Sequence, residues 1–130
     1  MKDIQISQFD DQDYQNVDML RSLGINRNMA HVIVYMANQK ESRGKEIEIA
    51  TGLRQPQVSC AMKKIRALSW IDEKYSKKVK GSNSRGRPYK IYNLNVSIYN
   101  ILDYYQNKLY EQYQISSNVI YNLKINLAKE

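Results

Sequence analysis

The sequence predicts a mainly helical protein with one small β-hairpin, and three observations lead there. Apolar residues recur at spacings of three and four from Asp11 to Leu68, in runs punctuated by glycine and proline. The period changes to two on both sides of a Gly/Ser-rich loop after Trp70, and it returns to helical from Asn95 onward. A chain of 130 residues, 42% of them hydrophobic, is long enough for one cored domain and an appended element. The expected division is a tail and helix over 1–25, a central domain over 26–95 and a helical segment over 96–130.

Residues 1–9 are polar and expected to be loosely ordered. From Asp11 to Leu23, Tyr14, Val17, Leu20 and Leu23 fall on one helical face, with acids in the first turn as the helix dipole prefers. Gly24 ends that helix. A second helix is expected from Asn26, its cap, to Asn38, with Met29, Val32, Ile33 and Met36 as its stripe. His31 lies off the centre of that stripe and reads as a surface or helix–helix contact. "QKESRGKE" reads as a loop.

Two helices joined by a tight turn follow. Ile47 and Ala50 face inward on the first, Gly52 closes it in a left-handed conformation, and Leu53 plugs the corner. Pro56 stands in the first turn of the second, where a missing N–H costs nothing. On that helix Val58, Ala61, Met62, Ile65 and Leu68 face the core, while Gln57, Ser59, Cys60, Lys63, Lys64 and Ala67 form a polar, basic face.

"WIDEKYSKKV" and "RPYKIYNL" are the two strands of the hairpin. Pro88 early in the second requires an edge or a strand start, so the hairpin is expected to project from the domain. From Asn95 or Ser97 as cap, a long helix carries Ile98, Leu102, Tyr105, Leu109, Gln112, Ser116, Val119 and Leu123 at heptad-like spacing. Residues 115–118 are a point where it can break in two. The seam either packs on the chain's own core or pairs with a second copy. Its length and its tyrosines favour dimerisation through Ile98, Leu102, Tyr105, Leu109, Val119 and Leu123.

The net charge of +7 is unevenly placed. Residues 1–53 hold six basic and eight acidic side chains, residues 91–130 three of each, and residues 54–90 eleven basic against two acidic. The segment from Lys77 to Leu94 carries Lys77, Lys78, Lys80, Arg85, Arg87 and Lys90 and no acid. Basic charge concentrated in this way fits a polyanionic partner held by counterion release, as against a merely solubilising surface. One cysteine and one histidine leave no disulfide, no multi-cysteine zinc site and no legible catalytic set, so neither metal, cofactor nor enzyme is expected. No apolar run approaches the roughly 20 residues a bilayer requires. The acidic, polar N-terminus is unlike a targeting peptide. A cytoplasmic protein without a membrane partner is the expectation.

"IEIATGLRQPQVSCAMKKI" followed by "SRGRPYKIYNL" resembles the winged helix-turn-helix transcription regulators common in archaea and related to the MarR, ArsR and TrmB groups, over roughly residues 26–95. The resemblance implies a dimeric regulator of double-stranded DNA whose second helix of the pair, about 55–68, enters the major groove. Gly52 and Leu53 match the turn, Val58 and Ile65 the buried anchors. Arg54, Gln55, Gln57, Ser59, Lys63 and Lys64 occupy positions that face DNA. Lys77, Lys78, Lys80, Arg85 and Arg87 belong to the basic wing, 77–90, with Arg85 and Arg87 at the minor groove or flanking phosphates. Glu48 departs from the pattern, standing where a small alanine is usual, so it must point outward or hold the helices apart. The side-chain chemistry agrees, since Gln pairs with adenine, Lys reaches guanine, and Arg seeks narrow minor grooves. Cys60, on the same face, reads as a small residue leaving room for the DNA backbone in preference to a redox switch. Alternatives are a winged-helix protein-interaction module, a nonspecific architectural DNA binder, and RNA binding, for which no aromatic platform is visible. A small-molecule effector would fit between the N-terminal and C-terminal helices, but no residue demands one.

Overall fold

The computed structural model describes residues 8–76 and 88–128. The elements run α1 (Asp11–Ser22), α2 (Arg27–Ala37), β1 (Ser42–Arg43), α3 (Gly44–Thr51), α4 (Gln55–Ala67), β2 (Ile71–Tyr75), β3 (Lys90–Leu94) and α5 (Ile98–Leu127). This is the order of a winged helix-turn-helix domain flanked by an N-terminal and a long C-terminal helix. The chain divides into two compact units, Met1–Val96 and Ser97–Glu130.

In the first unit, α1 starts at a reciprocal cap. The Asp10 carboxylate accepts from the Asp13 N–H at 2.8 Å, and the Asp13 carboxylate accepts from the Asp10 N–H at 3.1 Å. Val17 and Leu20 are its buried positions, while Tyr14 is exposed, so the stripe is narrower than the spacing predicts. Asn26 caps α2 as expected, accepting from the Met29 N–H at 2.8 Å. From Met29 to Met36 every residue of α2 is buried, because α1, α3, α4 and β3 all pack on it. Trp70 and Ile71 close the core below α4.

Three expectations for this unit, the loop, the projecting hairpin and the loose residues before α1, are corrected, and the two readings of His31 are decided. The segment read as a loop contains β1, which pairs with β3 through Ser42↔Tyr92 and Arg43↔Ile91. β3 is therefore the central strand of a three-stranded antiparallel sheet ordered β1-β3-β2, and the hairpin lies inside a sheet, with Pro88 just before its strand. His31 is buried, not a surface residue. Its ring stacks on Phe9 at 5.7 Å and meets Tyr14 edge-on, the α1–α2 contact that was one of its two readings. Phe9 is correspondingly docked rather than loose, its N–H donating to the Ala50 carbonyl at 3.3 Å. His31 Nδ1–H donates to the Arg27 carbonyl at 2.7 Å. Burial, foremost, holds its pKa below the ordinary value of 6.5.

The second unit is α5 alone, 30 residues and so about 45 Å long at 1.5 Å per residue. Ser97 caps it, accepting from the Asn100 N–H at 3.1 Å. It runs unbroken through residues 115–118, where Gln112 donates to the Ser116 hydroxyl one turn on at 3.2 Å, so the break does not occur. No helix among the described residues is long and apolar enough to cross a membrane.

Candidate nucleic-acid interface

The geometry that presents α4 is set by the five residues before it. Gly52 adopts φ +75°, where an L side chain is strained, and its N–H returns to the Glu48 carbonyl at 2.9 Å. Leu53 is buried in the corner as expected. Thr51 adds a lock that the sequence pattern did not disclose. Its buried hydroxyl donates to the Ile47 carbonyl at 2.6 Å and accepts from the Leu53 N–H at 3.2 Å. One oxygen thus bonds a carbonyl within the last turn of α3 and satisfies the Leu53 N–H just past it, tying the end of α3 to the turn that leads into α4. A threonine one position before the closing glycine was the available signal.

Pro56 lies in the first turn of α4, and the Gln57 side chain turns back so that its Oε1 accepts from the Arg54 N–H at 2.8 Å. Gln57 is half-buried with its carbonyl oxygen engaged by the backbone, and its amide N–H groups remain to reach outward. Gln55 donates to the Ser59 hydroxyl at 3.1 Å, which ties two of the expected DNA-facing residues into one polar ledge. Val58, Ala61, Met62 and Ile65 are buried; Arg54, Gln55, Ser59, Cys60, Lys63 and Lys64 are exposed on the opposite side.

The cations of segment 54–90 are not equivalent. Arg66 binds Glu73 on β2, with its Nε donating at 2.7 Å. Lys90 lies 3.6 Å from the same carboxylate, and Lys74 pairs with Glu41. Two carboxylates, Glu73 and Glu41, thus share these three cations. Arg54, Lys63 and Lys64 have no acidic partner among the described residues. Among the described residues of this segment, the uncompensated charge therefore sits on the outward face of α4 and its cap, together with Gln55 and Ser59. Lys77, Lys78, Lys80, Arg85 and Arg87, and with them most of the expected wing, lie outside the described residues.

Beside that face, β1, α3, α4 and β3 enclose a cleft of about 250 Å³. Gln55 and Ser59 line it, and the buried Val58 and Met62 supply its apolar lining. Glu48 lines it and is half-buried, so it points outward into the cleft and the helices need not separate. Arg43, Lys45 and Lys90 also line it, and the Arg43 guanidinium lies over the Tyr89 ring, 3.8 Å from its centre. Arg43 and Lys45 were not singled out from the sequence, because they belong to a stretch whose summed charge is negative. Among the described residues no three His, Cys, Asp or Glu side chains come together to hold a metal.

On α5, Leu102, Leu109, Val119 and Leu123 are exposed, and Ile98 and Tyr105 are half-buried. Tyr113, Ile120 and Leu127, also exposed, continue the same stripe at helical spacing.

No protein-family model and no curated protein matches the chain. Solved structures do. A MarR family regulator from Neisseria meningitidis is similar at 17% identity and a TM-score of 0.49, over 81% of this chain and 66% of that one, just under two thirds of its length. A mutant of MepR from S. aureus is similar at 19% identity and a TM-score of 0.47, over 90% of this chain and 86% of that one. A PadR family transcription regulator from Clostridium difficile is similar at 23% identity and a TM-score of 0.44, over 73% of this chain and 97% of that one.

Proposed function

We propose that the chain is a sequence-specific, double-stranded DNA-binding transcription regulator acting as a homodimer. The observation that carries this reading is the division of its cations. Acids on the β-sheet side take up Arg66, Lys74 and Lys90, while α4 and its cap present Arg54, Lys63 and Lys64 beside Gln55 and Ser59, without an acidic partner among the described residues. A helix held by a rigid turn, with one buried face and one basic, hydrogen-bonding face, fits the major groove of B-DNA. Lys63 and Lys64 supply phosphate or guanine contacts, and Gln55 with the amide of Gln57 supplies base-edge donors. The basic segment 77–90 would add contacts at the minor groove or flanking phosphates, Arg85 and Arg87 foremost. The exposed apolar stripe of α5 supports pairing with the same helix of a second copy. Two recognition helices would then read half-sites about one helical turn apart, roughly 34–36 Å.

The test is selection from a random-sequence duplex library at two salt concentrations, followed by sequencing. A two-fold symmetric motif, bound far more weakly at the higher salt, is the expected result. Salt-sensitive binding without a motif would make the protein an architectural, nonspecific DNA binder. Absence of binding would overturn the reading in favour of a protein-interaction module.

A further inference from the structure

Three cations from separate elements line the cleft beside α4: Arg43 from β1, Lys45 from α3 and Lys90 from β3, the last of them also bridged to Glu73. Such convergence is not a by-product of one basic run. Two of the three belong to the stretch 1–53, which is net acidic with six basic and eight acidic side chains. Resting on the DNA reading above, we propose that this cleft seats one phosphodiester of the DNA strand that flanks the bases read by α4. Arg43 and Lys45 are its cationic grip, and Tyr89 is the residue that positions Arg43.

Arg43 is prepared for this role by its backbone and by its side chain. Its strand position is fixed opposite Ile91, and its N–H is held by the Glu46 carboxylate at 2.7 Å. That contact uses the backbone, so the guanidinium remains without an acidic partner among the described residues. Stacking on Tyr89 restrains the long side chain before any ligand arrives. A planar guanidinium held in this way meets two phosphate oxygens at once, at less entropic cost than a free one. Ser59 accepts from Gln55, which leaves its own O–H free to donate to an anion. The apolar lining of Val58 and Met62 suits the deoxyribose beside the phosphate. The volume, about 250 Å³, falls below the roughly 300–1,000 Å³ of sites for drug-sized molecules. It accords with one sugar-phosphate unit. Because Gln55 and Ser59 belong both to the cleft and to the α4 face, a strand seated here stays in register with bases in front of α4.

Glu48 is the one acid among the described residues of the lining and opposes an anion there. Its removal should therefore tighten binding, an effect opposite in sign to that of the cations.

The test is binding of the full chain to its selected duplex across a salt series, with thermal melts showing each variant folded. Lys63→Ala on α4 serves as the reference for a phosphate contact. Arg43→Ala and Lys45→Ala should each weaken binding and flatten the slope of log affinity against log salt by about 0.9. Arg43→Lys should keep the slope and still weaken binding, because the charge remains and the planar stack is lost. Tyr89→Leu should weaken binding in the wild-type background and have no further effect beside Arg43→Ala, the non-additivity of a residue acting through another. Glu48→Gln should bind more tightly. If the wild-type chain does not bind duplex, the DNA reading itself fails. If wild type binds and Lys63→Ala moves the slope while Arg43→Ala and Lys45→Ala do not, only the cleft proposal fails. A second arm titrates inorganic phosphate into the protein without DNA. Submillimolar saturation that Arg43→Ala abolishes, with the DNA slope unmoved, would assign the cleft to a free anion and overturn the proposal.

Discussion

Helices α2 and α5 are close to opposites. α2 has 11 residues and buries eight in succession; α5 has 30 and buries only Ile101. Both sequences are rich in apolar residues, so composition does not account for the difference. α2 lies among four other elements and is covered on every side, which makes it hydrophobic all round, as a fully interior helix must be. α5 keeps an open stripe in which Leu109, Val119 and Leu123 remain about half exposed, at 48%, 51% and 47%, with Tyr110, Ile115 and Ile125 exposed on its other faces. An amphipathic helix of this length draws its stability from burying that stripe, which a single copy of the chain leaves open. The difference is that α2 is satisfied within the fold, whereas the α5 stripe is left for the pairing proposed above.

The largest effect should come from placing charge in the α5 stripe. Leu109→Glu with Leu123→Glu puts two carboxylates where a second copy is expected to pack, at roughly 3 kcal/mol or more for each charge buried unpaired. Sedimentation should show a wild-type dimer and a monomeric variant, with the Met1–Val96 unit still folding. Wild type remaining monomeric at high micromolar concentration would remove the assembly role from α5. On the other side of the comparison, Ile33→Ala hollows the centre of α2, where the side chain is fully buried. A loss of about 2–5 kcal/mol in chemical denaturation is expected. A loss below 1 kcal/mol would mean that α2 does not hold the core together.

Much of this could be read from the sequence wherever the signal is local. The Asn26 cap, the Gly52–Leu53 turn, Pro56 and the α4 stripe each depend on neighbours a few residues away, and each appears as expected. What escaped depends on distant partners. β1 is two residues long, too short to show a period, and exists only because β3 passes beside it. That same pairing turns β3 from an edge strand into a central one. His31 is buried because Phe9, from a stretch that reads as loose, lies across it. Arg43 and Lys45 were hidden by summing charge along the chain, whereas the cleft sums it across elements.

Intermediate effects should come from two buried polar groups on the α2 side of the comparison. Thr51→Val keeps the shape but strands the buried Leu53 N–H, for a loss of about 1–3 kcal/mol. Unchanged stability would mean that the hydroxyl does not lock the turn. His31 concerns acid. Burial foremost, with the Arg27 and Arg21 charges, lowers its pKa from 6.5, and these outweigh the Arg27 carbonyl and Asp18, which raise it. The unfolded chain therefore binds the proton more readily than the folded one. Its contribution is fully present above pH 6.5 and is lost as pH falls through the lowered folded value. Urea midpoints of wild type should drop in that window more steeply than those of His31→Gln. Parallel profiles would show that His31 does not titrate against the fold.

The smallest effect should be a gain, and it compares the ends of two helices that feed the same core. α1 and α4 finish in one motif. After α1, Gly24 donates to the Arg21 carbonyl and Ile25 to that of Leu20; after α4, Ser69 donates to Arg66 and Trp70 to Ile65. The position is left-handed in both, with φ +96° at Gly24 and +62° at Ser69. Glycine takes that conformation without strain, whereas serine must hold its Cβ against the following carbonyl at a cost of about 1–2 kcal/mol. Glycine's greater freedom in the unfolded chain offsets roughly half of this. Ser69→Gly should therefore stabilise by about 0.5–1 kcal/mol. Gly24→Ala, at a site with nothing within 4 Å of the new Cβ, should destabilise by a similar amount through the backbone alone. Opposite signs at the two ends would establish that the motif, and not the surrounding packing, sets where α4 stops and how squarely β2 enters the sheet. A loss at Ser69→Gly would mean that the serine side chain contributes something the backbone geometry does not explain.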